Sequence, residues 1–597
     1  MKNTVIILES PAKAKTISRF LGKDVLVLYS KGHVRDLSLT GKDRLGIDIL
    51  NNFEPNYQII DKQKKTVDEL IKKTKNKKVF LATDPDREGE SIAWHLAQIL
   101  KLDEKEKNRV SFNEITKDIV QKAFANPCVI KKDLVNSQET RRILDRIIGF
   151  RLSYLVRKIK SSSAGRVQSV ALKLVVELEQ ERNNFVPEEY NLIKAHFENF
   201  KADLIITPKC YKIKKEEAEK IVKQIGIRPF VLKEIQNKKQ QKKPPQPFIT
   251  ATLQQEAFKI LSFSAKNTMS IAQKLYEGID LNGQRIGLIT YMRTDSFRIS
   301  VEFSEKVQKF IKERYGKEYL GILKTKKEIN NIGDAHEAIR VTNITMIPED
   351  LTQYLNKYEL SLYKLIYERT LASFMSNAIV NKNQLFFEID EFLFLAEGQE
   401  MIFEGYYKAL NNSFKNNFLP NLKVNQEYIP NKIEIIPKTT TPPARFNEAS
   451  LIKKLEILKI GRPSTYVSII EILKKRFYIQ IEDKQIIPTE IGTITKDFLD
   501  KFFSSLINVN YTAQMEKELD DISCGKINKL IILQNFYKLF QKLFQTAYET
   551  IQKNKPKITQ QKCDLCGDFL VERRSKYGLF LGCNSFPKCK KVVSLKK

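Results

Sequence analysis

Three clusters of residues carry types and spacings that could do chemistry. The first is Asp84-Pro85-Asp86-Arg87-Glu88-Gly89-Glu90. Asp84, Asp86 and Glu88 alternate, so in an extended or turn conformation three carboxylates point one way. Hard oxygen donors gathered like this suit Mg2+, which takes one or two carboxylates and keeps several waters. Glu9 ends another apolar run and can join them, with Lys13 one helical turn beyond. The competing reading is a solvated acidic turn capping a helix. Acids at the ends of two strand-like runs, with a lysine beside them, favour a catalytic site.

The second is Arg285-Ile286-Gly287-Leu288-Ile289-Thr290-Tyr291-Met292-Arg293-Thr294-Asp295-Ser296. Among 22 tyrosines, Tyr291 is set apart by the apolar run before it and by Arg293 two residues on. A phenol that attacks a phosphodiester needs its charge supported and the pentacovalent phosphorus stabilised, which a fixed guanidinium can do. The third is Cys563-x2-Cys566, a sixteen-residue gap, then Cys583-x5-Cys589. Four thiolates so spaced suit tetrahedral Zn2+, and Gly567, Gly578 and Gly582 permit the tight turns of a ribbon. Free thiols in a disordered tail are the alternative. Arg573, Arg574 and Lys576 interleave with Tyr577, Phe580 and Phe586, a composition for backbone contact and base stacking on single strands. Cys128, Cys210 and Cys524 stand alone and read as packing residues.

These residues need elements to position them. Val5-Ile6-Ile7-Leu8 reads as a buried strand closed by Glu9, with Ser10 as N-cap and Pro11 at the first position of a helix to Leu21. Val79-Phe80-Leu81-Ala82-Thr83 is a second such run, placing Asp84 at a strand's carboxyl end, where open α/β sheets bind ligands. It leads into a helix with Ile92, Leu96, Ile99 and Leu100 on one face. Residues 133–186 read as helical and Arg-rich, 190–235 and 384–410 as strands, and 250–376 and 446–552 as helical again. Lys238 to Pro247 reads as a linker by composition. Strands so far apart in sequence imply discontinuous domains.

At this point the residues resemble a known family. Thr4 to Lys15 with Asp84 to Glu90 resembles the Toprim domain, which type IA DNA topoisomerases share with primases and some nucleases. The stretch around Tyr291 resembles the active-site tyrosine motif of type IA topoisomerases and closely matches their bacterial topoisomerase I branch. Asp334-Ala335-His336-Glu337-Ala338-Ile339-Arg340 resembles a second motif of the same domain, in which His336 would contact the scissile region; a hydrogen-bonded core histidine is the other reading. Gln138 to Arg146 and Ser163 to Ser169 resemble helical segments lining a single-strand groove. Pro442 to Phe446 and Gly461 to Tyr466 resemble its other wall. Clustered Arg with Ser, Thr and Gln can bind phosphates, and a turn before a helix offers backbone donors.

The resemblance implies a multidomain α/β and α+β chain. A Rossmann-like Toprim domain (1–132), a helical single-strand-binding domain (133–188 and 444–552), a β-rich arch (189–248 and 377–443) and a tyrosine-bearing domain (249–376) would form a toroid, followed by a basic zinc-ribbon tail (553–597). It implies Tyr291 as nucleophile, Glu9 as proton donor to the 3′ leaving oxygen, and Arg293 and Lys13 as catalytic partners. Asp84, Asp86, Glu88 and Glu9 would hold Mg2+, and Cys563, Cys566, Cys583 and Cys589 would hold Zn2+. His33, Arg141, Arg142, Asp145, Arg166, Gln168, His336, Arg340, Arg445, Arg462, Ser464 and Thr465 would bind DNA. Relaxation of negatively supercoiled DNA follows, with a decatenating member, or a Toprim primase or nuclease, as alternatives. No GxxxxGK[ST] occurs, consistent with an ATP-independent reaction.

Composition agrees. The chain has 597 residues and a formal charge of +31, pointing to a polyanionic partner. Lys supplies 78 of the 102 basic residues, which AT-rich codon usage would also produce. The distribution is more telling: residues 551–597 hold 10 Lys and 2 Arg against 3 acids. No apolar stretch nears the ~18 residues of a membrane span, and the N-terminus is too short and acidic for a signal peptide. A monomer in the cytoplasm, associated with the nucleoid and acting on single-stranded and negatively supercoiled DNA, is expected.

Overall fold

The computed structural model describes residues 3–40, 43–205, 212–321, 336–410, 414–553, 558–575 and 578–594. At the N-terminus, Thr4–Leu8 is the middle strand of a parallel sheet, flanked by Val25–Tyr29 and Lys78–Ala82. A continuous Val-Ile-Ile-Leu run suits a strand covered on both faces. Ile6, Leu8, Phe80 and Ala82 join the core that also holds Leu288, Tyr291 and Met292. Val5, Ile7, Val79 and Leu81 face the opposite core with Ile92 and Leu96. The sheet that ends in Glu9 and Asp84 is thereby packed directly against the tyrosine-bearing unit.

Ser10 caps the helix Pro11–Ile17 by accepting from the Lys13 N–H. This helix is shorter than the expected run to Leu21, because Arg19 and Phe20 donate to carbonyls three residues back in a tightened turn. Asp86 caps the helix Arg87–Leu100.

A second core is helical. It gathers residues of Lys132–Lys158 and Arg166–Asn183 with residues of Glu448–Ile457, Tyr466–Lys475, Glu490–Phe503, Val509–Ser523 and Lys529–Lys553. A seven-stranded sheet likewise joins distant segments: Glu427–Tyr428, Phe230–Lys242, Ala378–Ile389, Phe392–Phe403, Lys201–Ile205, Glu189–His196 and Lys432–Thr439, in that spatial order. The expected linker Lys238–Pro247 is only partly one. Lys238–Lys242 continues the long strand, paired to Ala378–Lys382. Its polar side chains face solvent while the ladder satisfies its backbone, so composition misread it.

A four-stranded sheet, Ile558–Lys562, Phe569–Ser575, Gly578–Cys583 and Val592–Ser594, ends the chain around its own small core. Among the described residues no helix is long and apolar enough to cross a membrane.

Candidate active site

The acids sit where two units meet, and each has its own partner. Lys13 Nζ bonds the Asp84 carboxylate, both groups being buried. Asp86 accepts from the Gly89 N–H at 2.8 Å with Oδ1 and from the Tyr291 hydroxyl at 2.7 Å with Oδ2. Glu88 lies 3.3 Å from both His33 Nε2 and Arg293 Nη1. Only Asp84 belongs to the strand end, since Asp86 caps the helix and Glu88 lies in its first turn. Gly89 is required there: a Cβ would lie 2.2 Å from the Asp84 carbonyl oxygen.

Tyr291 is 3 % exposed. Its N–H donates to the Asn113 carbonyl at 2.7 Å, while Thr290 before it donates to the Ala338 and Arg340 carbonyls. His336 Nε2 bonds the Pro85 carbonyl at 2.7 Å, with its ring 6.3 Å from that of Tyr291. Asp334 and Ala335 of that motif lie outside the described residues. The Ser10 hydroxyl donates to Glu277 at 2.7 Å, fastening the first helix to the helix Ala265–Glu277.

The electrostatics follow from burial. Glu9 is pushed up to about 7, by desolvation first and then by Asp84, with Lys13 opposing. Its Oε2 is buried without a hydrogen-bond partner. Desolvation, then Asp86 and Asp84, hold the Tyr291 phenol well above its ordinary range, and Arg293 opposes them. The His33 hydrogen bond, aided by Arg293, keeps Glu88 below the usual carboxylate range against its desolvation.

The donor set fits a hard divalent cation in kind, since Asp84, Asp86, Glu88 and the unpartnered Glu9 oxygen all lie at this interface. Lys13, Tyr291 and Arg293 each bond one of these carboxylates, at Asp84, Asp86 and Glu88 respectively. The zinc site is more fully formed. Among the described residues, the four cysteines Cys563, Cys566, Cys583 and Cys589 bring their sulfurs within 4.8 Å of one another. The Cys563–Cys589 separation is 3.7 Å, against about 3.8 Å for the edge of a tetrahedron with Zn–S bonds of ~2.3 Å.

Arg573 lies over the Phe586 ring at 5.5 Å, and Phe586 is exposed. Lys576, Tyr577 and the Arg574 side chain lie outside the described residues, as does Cys210. Cys128 is half-buried. Cys524 is exposed, contrary to the expectation of a packing residue, because it follows the last turn of Val509–Ser523.

The helical core carries a groove of about 1160 Å3, lined among others by Arg141, Arg142, Asp145, Arg166, Gln168 and Thr465. Aromatic rings of Tyr154 and Tyr548 stack at its wall, centroids 6.3 Å apart. Ser464 is exposed beside Thr465.

The arginines are already paired. Arg142 meets Asp36 at 2.9 and 2.6 Å, and Arg445 meets Glu179 at 2.9 and 2.7 Å. Arg166, 2 % exposed, lies 2.8 Å from Glu516 and 3.5 Å from Asp145. Arg340 faces inward, bonded to Glu337 and Glu114 beneath the Tyr291 turn. Sequence reading missed Glu516, Asp520, Tyr276 and Arg109. Arg109, fully buried, bonds Glu90 and the Thr83 and Asp84 carbonyls. Tyr276 lies under Lys13 and edge-on to Tyr291. Glu516 had a readable signal: it falls among the buried Met515, Leu519 and Ile522 of one helix.

An acid-bearing α/β sheet against a buried tyrosine, an arginine-lined groove and a four-cysteine ribbon are the parts that the sequence resemblance implies for a DNA topoisomerase. Comparison with known proteins agrees. Residues 129–534 match the family model described as DNA topoisomerase, 4–115 the Toprim domain, and 560–597 the topoisomerase DNA binding C4 zinc finger. The chain belongs to the type IA DNA topoisomerase family. It is similar to full-length topoisomerase I from Thermotoga maritima, at 38% identity and a TM-score of 0.85 over 99% of this chain and 97% of that one.

Proposed function

We propose that this enzyme relaxes negatively supercoiled DNA by cutting one strand, passing another through the break and resealing it. The observation that carries the reading is the Tyr291 hydroxyl held on Asp86, with Arg293 on the neighbouring Glu88. Tyr291 Oη attacks the phosphorus of a single strand, and its proton passes to Asp86. The P–O3′ bond breaks as the O–P bond to tyrosine forms, leaving a 5′-phosphotyrosyl link and a 3′-hydroxyl. Glu9, protonated below about 7, supplies the proton to the leaving 3′-oxygen. Arg293 stabilises the phosphorane charge.

The covalent link conserves the energy of the phosphodiester, so resealing is the reverse step and needs no nucleotide. Mg2+ bound by Asp84, Asp86 and Glu88 with Glu9 beside them would supply charge neutralisation at the acids and the phosphate. The groove with Arg141, Arg142, Gln168 and Thr465 would seat the strand, with His33, His336 and Ser464 along the same path. A monomer suffices, because both halves of the site come from one chain.

The test is to quench the protein with detergent on a labelled strand and map the adduct. A tyrosyl adduct at Tyr291 supports the reading, and a strand cut without any adduct overturns it in favour of nuclease chemistry. Parallel relaxation and decatenation assays separate the two topoisomerase readings, and faster relaxation is expected.

A further inference from the structure

Asp520 lies where two guanidinium groups from distant parts of the chain converge. One of its oxygens takes Arg87 Nη2, at the head of the helix Arg87–Leu100, and the other takes Arg462 Nη2 at 2.5 Å, in the turn before Tyr466–Lys475. All three side chains stay partly accessible: Asp520 42 %, Arg87 26 % and Arg462 20 % exposed. Glu516, one turn earlier on the same helix face, is 0 % exposed and is bound by Arg141 and Arg166, with Arg462 Nη1 at 3.7 Å, so Arg462 spans both acids. The two acids therefore differ in kind. The inner one is sealed under its arginines, and the outer one faces a surface from which another anion can reach the same guanidiniums.

The pair has the chemistry of a phosphodiester seat. Two planar guanidiniums bridge the two oxygens of one carboxylate, and they can bridge the two non-bridging oxygens of a phosphate in the same way. Ser523 Oγ, 3.5 Å from Arg87 Nη2 and donating to the Asp520 carbonyl at 2.6 Å, adds a hydroxyl at the rim. The position is also meaningful. Arg87 directly follows Asp86, which holds the Tyr291 hydroxyl, and Arg462 accompanies the groove-lining Thr465, donating from its N–H to Thr465 Oγ1 at 2.8 Å. An anion between them would join the turn that carries Thr465 to the helix that Asp86 caps.

We propose that Arg87 and Arg462 form a seat for one backbone phosphate of the bound single strand, and that Asp520 fills it as an internal stand-in until the strand arrives. This rests on the reading of the groove as strand-binding. The entering phosphate exchanges with a carboxylate instead of adding to bare cations, so strand arrival is sensed at Arg87, on the helix that carries Glu88 and is capped by Asp86.

The experiment is binding of a short fluorescent single-stranded oligodeoxynucleotide to the full chain, by anisotropy over a salt series. Asp520→Asn and Asp520→Ala should bind about fivefold tighter, the order of one exposed ion pair. Their plots of log affinity against log salt should steepen by about 0.7, the single-strand increment for one phosphate. Adding Arg87→Ala to Asp520→Ala should erase both gains. Equal or weaker binding by both Asp520 variants overturns the proposal, since a purely bridging carboxylate gains nothing by removal. Failure of the unsubstituted protein to bind the strand at all overturns the groove reading itself, and shows as affinity absent in every variant.

Discussion

The Tyr291 hydroxyl donates to Asp86 Oδ2 at 2.7 Å across the contact between the Toprim sheet and the tyrosine-bearing unit. The two residues come from segments 205 residues apart, so the bond ties the two units together. Desolvation and the neighbouring acids hold the phenol well above its ordinary range, and in the proposed reaction Asp86, already bonded to it, takes its proton.

Tyr291→Phe should abolish relaxation and covalent capture of DNA while leaving single-strand binding unchanged. The ring stays in its buried place and only the oxygen is lost. Plasmid relaxation, detergent-trapped adduct and oligonucleotide anisotropy measure the three. Persistent adduct in this variant would sink the assignment.

Glu9 titrates near 7 because it is buried beside Asp84, despite Lys13. In its proposed role as proton donor it is active in its protonated form. Single-turnover cleavage should therefore fall as pH rises through about 7, and Glu9→Gln should be slow and lack that limb. A limb retained in Glu9→Gln assigns the titration to another group.

Much of this site was legible in the sequence because its parts are local. Strand-ending acids, a serine cap before proline and four spaced cysteines are short-range patterns with short-range causes. What escaped depends on distant partners. Glu516 and Asp520 matter through arginines that are hundreds of residues away or on other helices. Arg141, Arg142 and Arg166 read as strand-binding cations in sequence, and the fold pairs them with Glu516 and Asp36. Lys238–Lys242 read as linker because its pairing partner, Ala378–Lys382, lies far along the chain.

Lys13 and Asp84 form a buried ion pair. Lys13→Met leaves the carboxylate buried next to Glu9 without its cation, and loss of one partner of such a pair costs about 3–5 kcal/mol. The variant should melt earlier, and Asp84→Asn on the same background should recover most of the loss. A double variant no more stable than Lys13→Met argues that packing, not charge, is what the lysine supplies.

The ribbon has its own core of Cys563, Leu570, Leu581 and Cys583. Zinc binding and folding are coupled in modules of this kind. Cys563→Ser should release the metal and open the region after 558 to protease, while the melting of the rest stays in place. Stoichiometric zinc retained in Cys563→Ser would contradict the four-thiolate site. Deletion of 556–597 should weaken DNA binding and flatten its salt slope.

Glu516 gives the pH test with the opposite sign to Glu9. Desolvation alone would raise it, but Arg141, Arg166 and Arg462 outweigh burial and hold it at about 2. A depressed carboxylate contributes stability above its unfolded value, near 4.5, and loses it as pH falls toward the folded value. Glu516→Gln should therefore cost about 3 kcal/mol at neutral pH, with three guanidiniums left facing one another. The gap between the two proteins should narrow steadily below about pH 4.5 and largely close near pH 2. Chemical unfolding of both across that range measures it. A gap independent of pH would mean that the amide fails by shape, and that the charge of Glu516 is not what gathers the arginines.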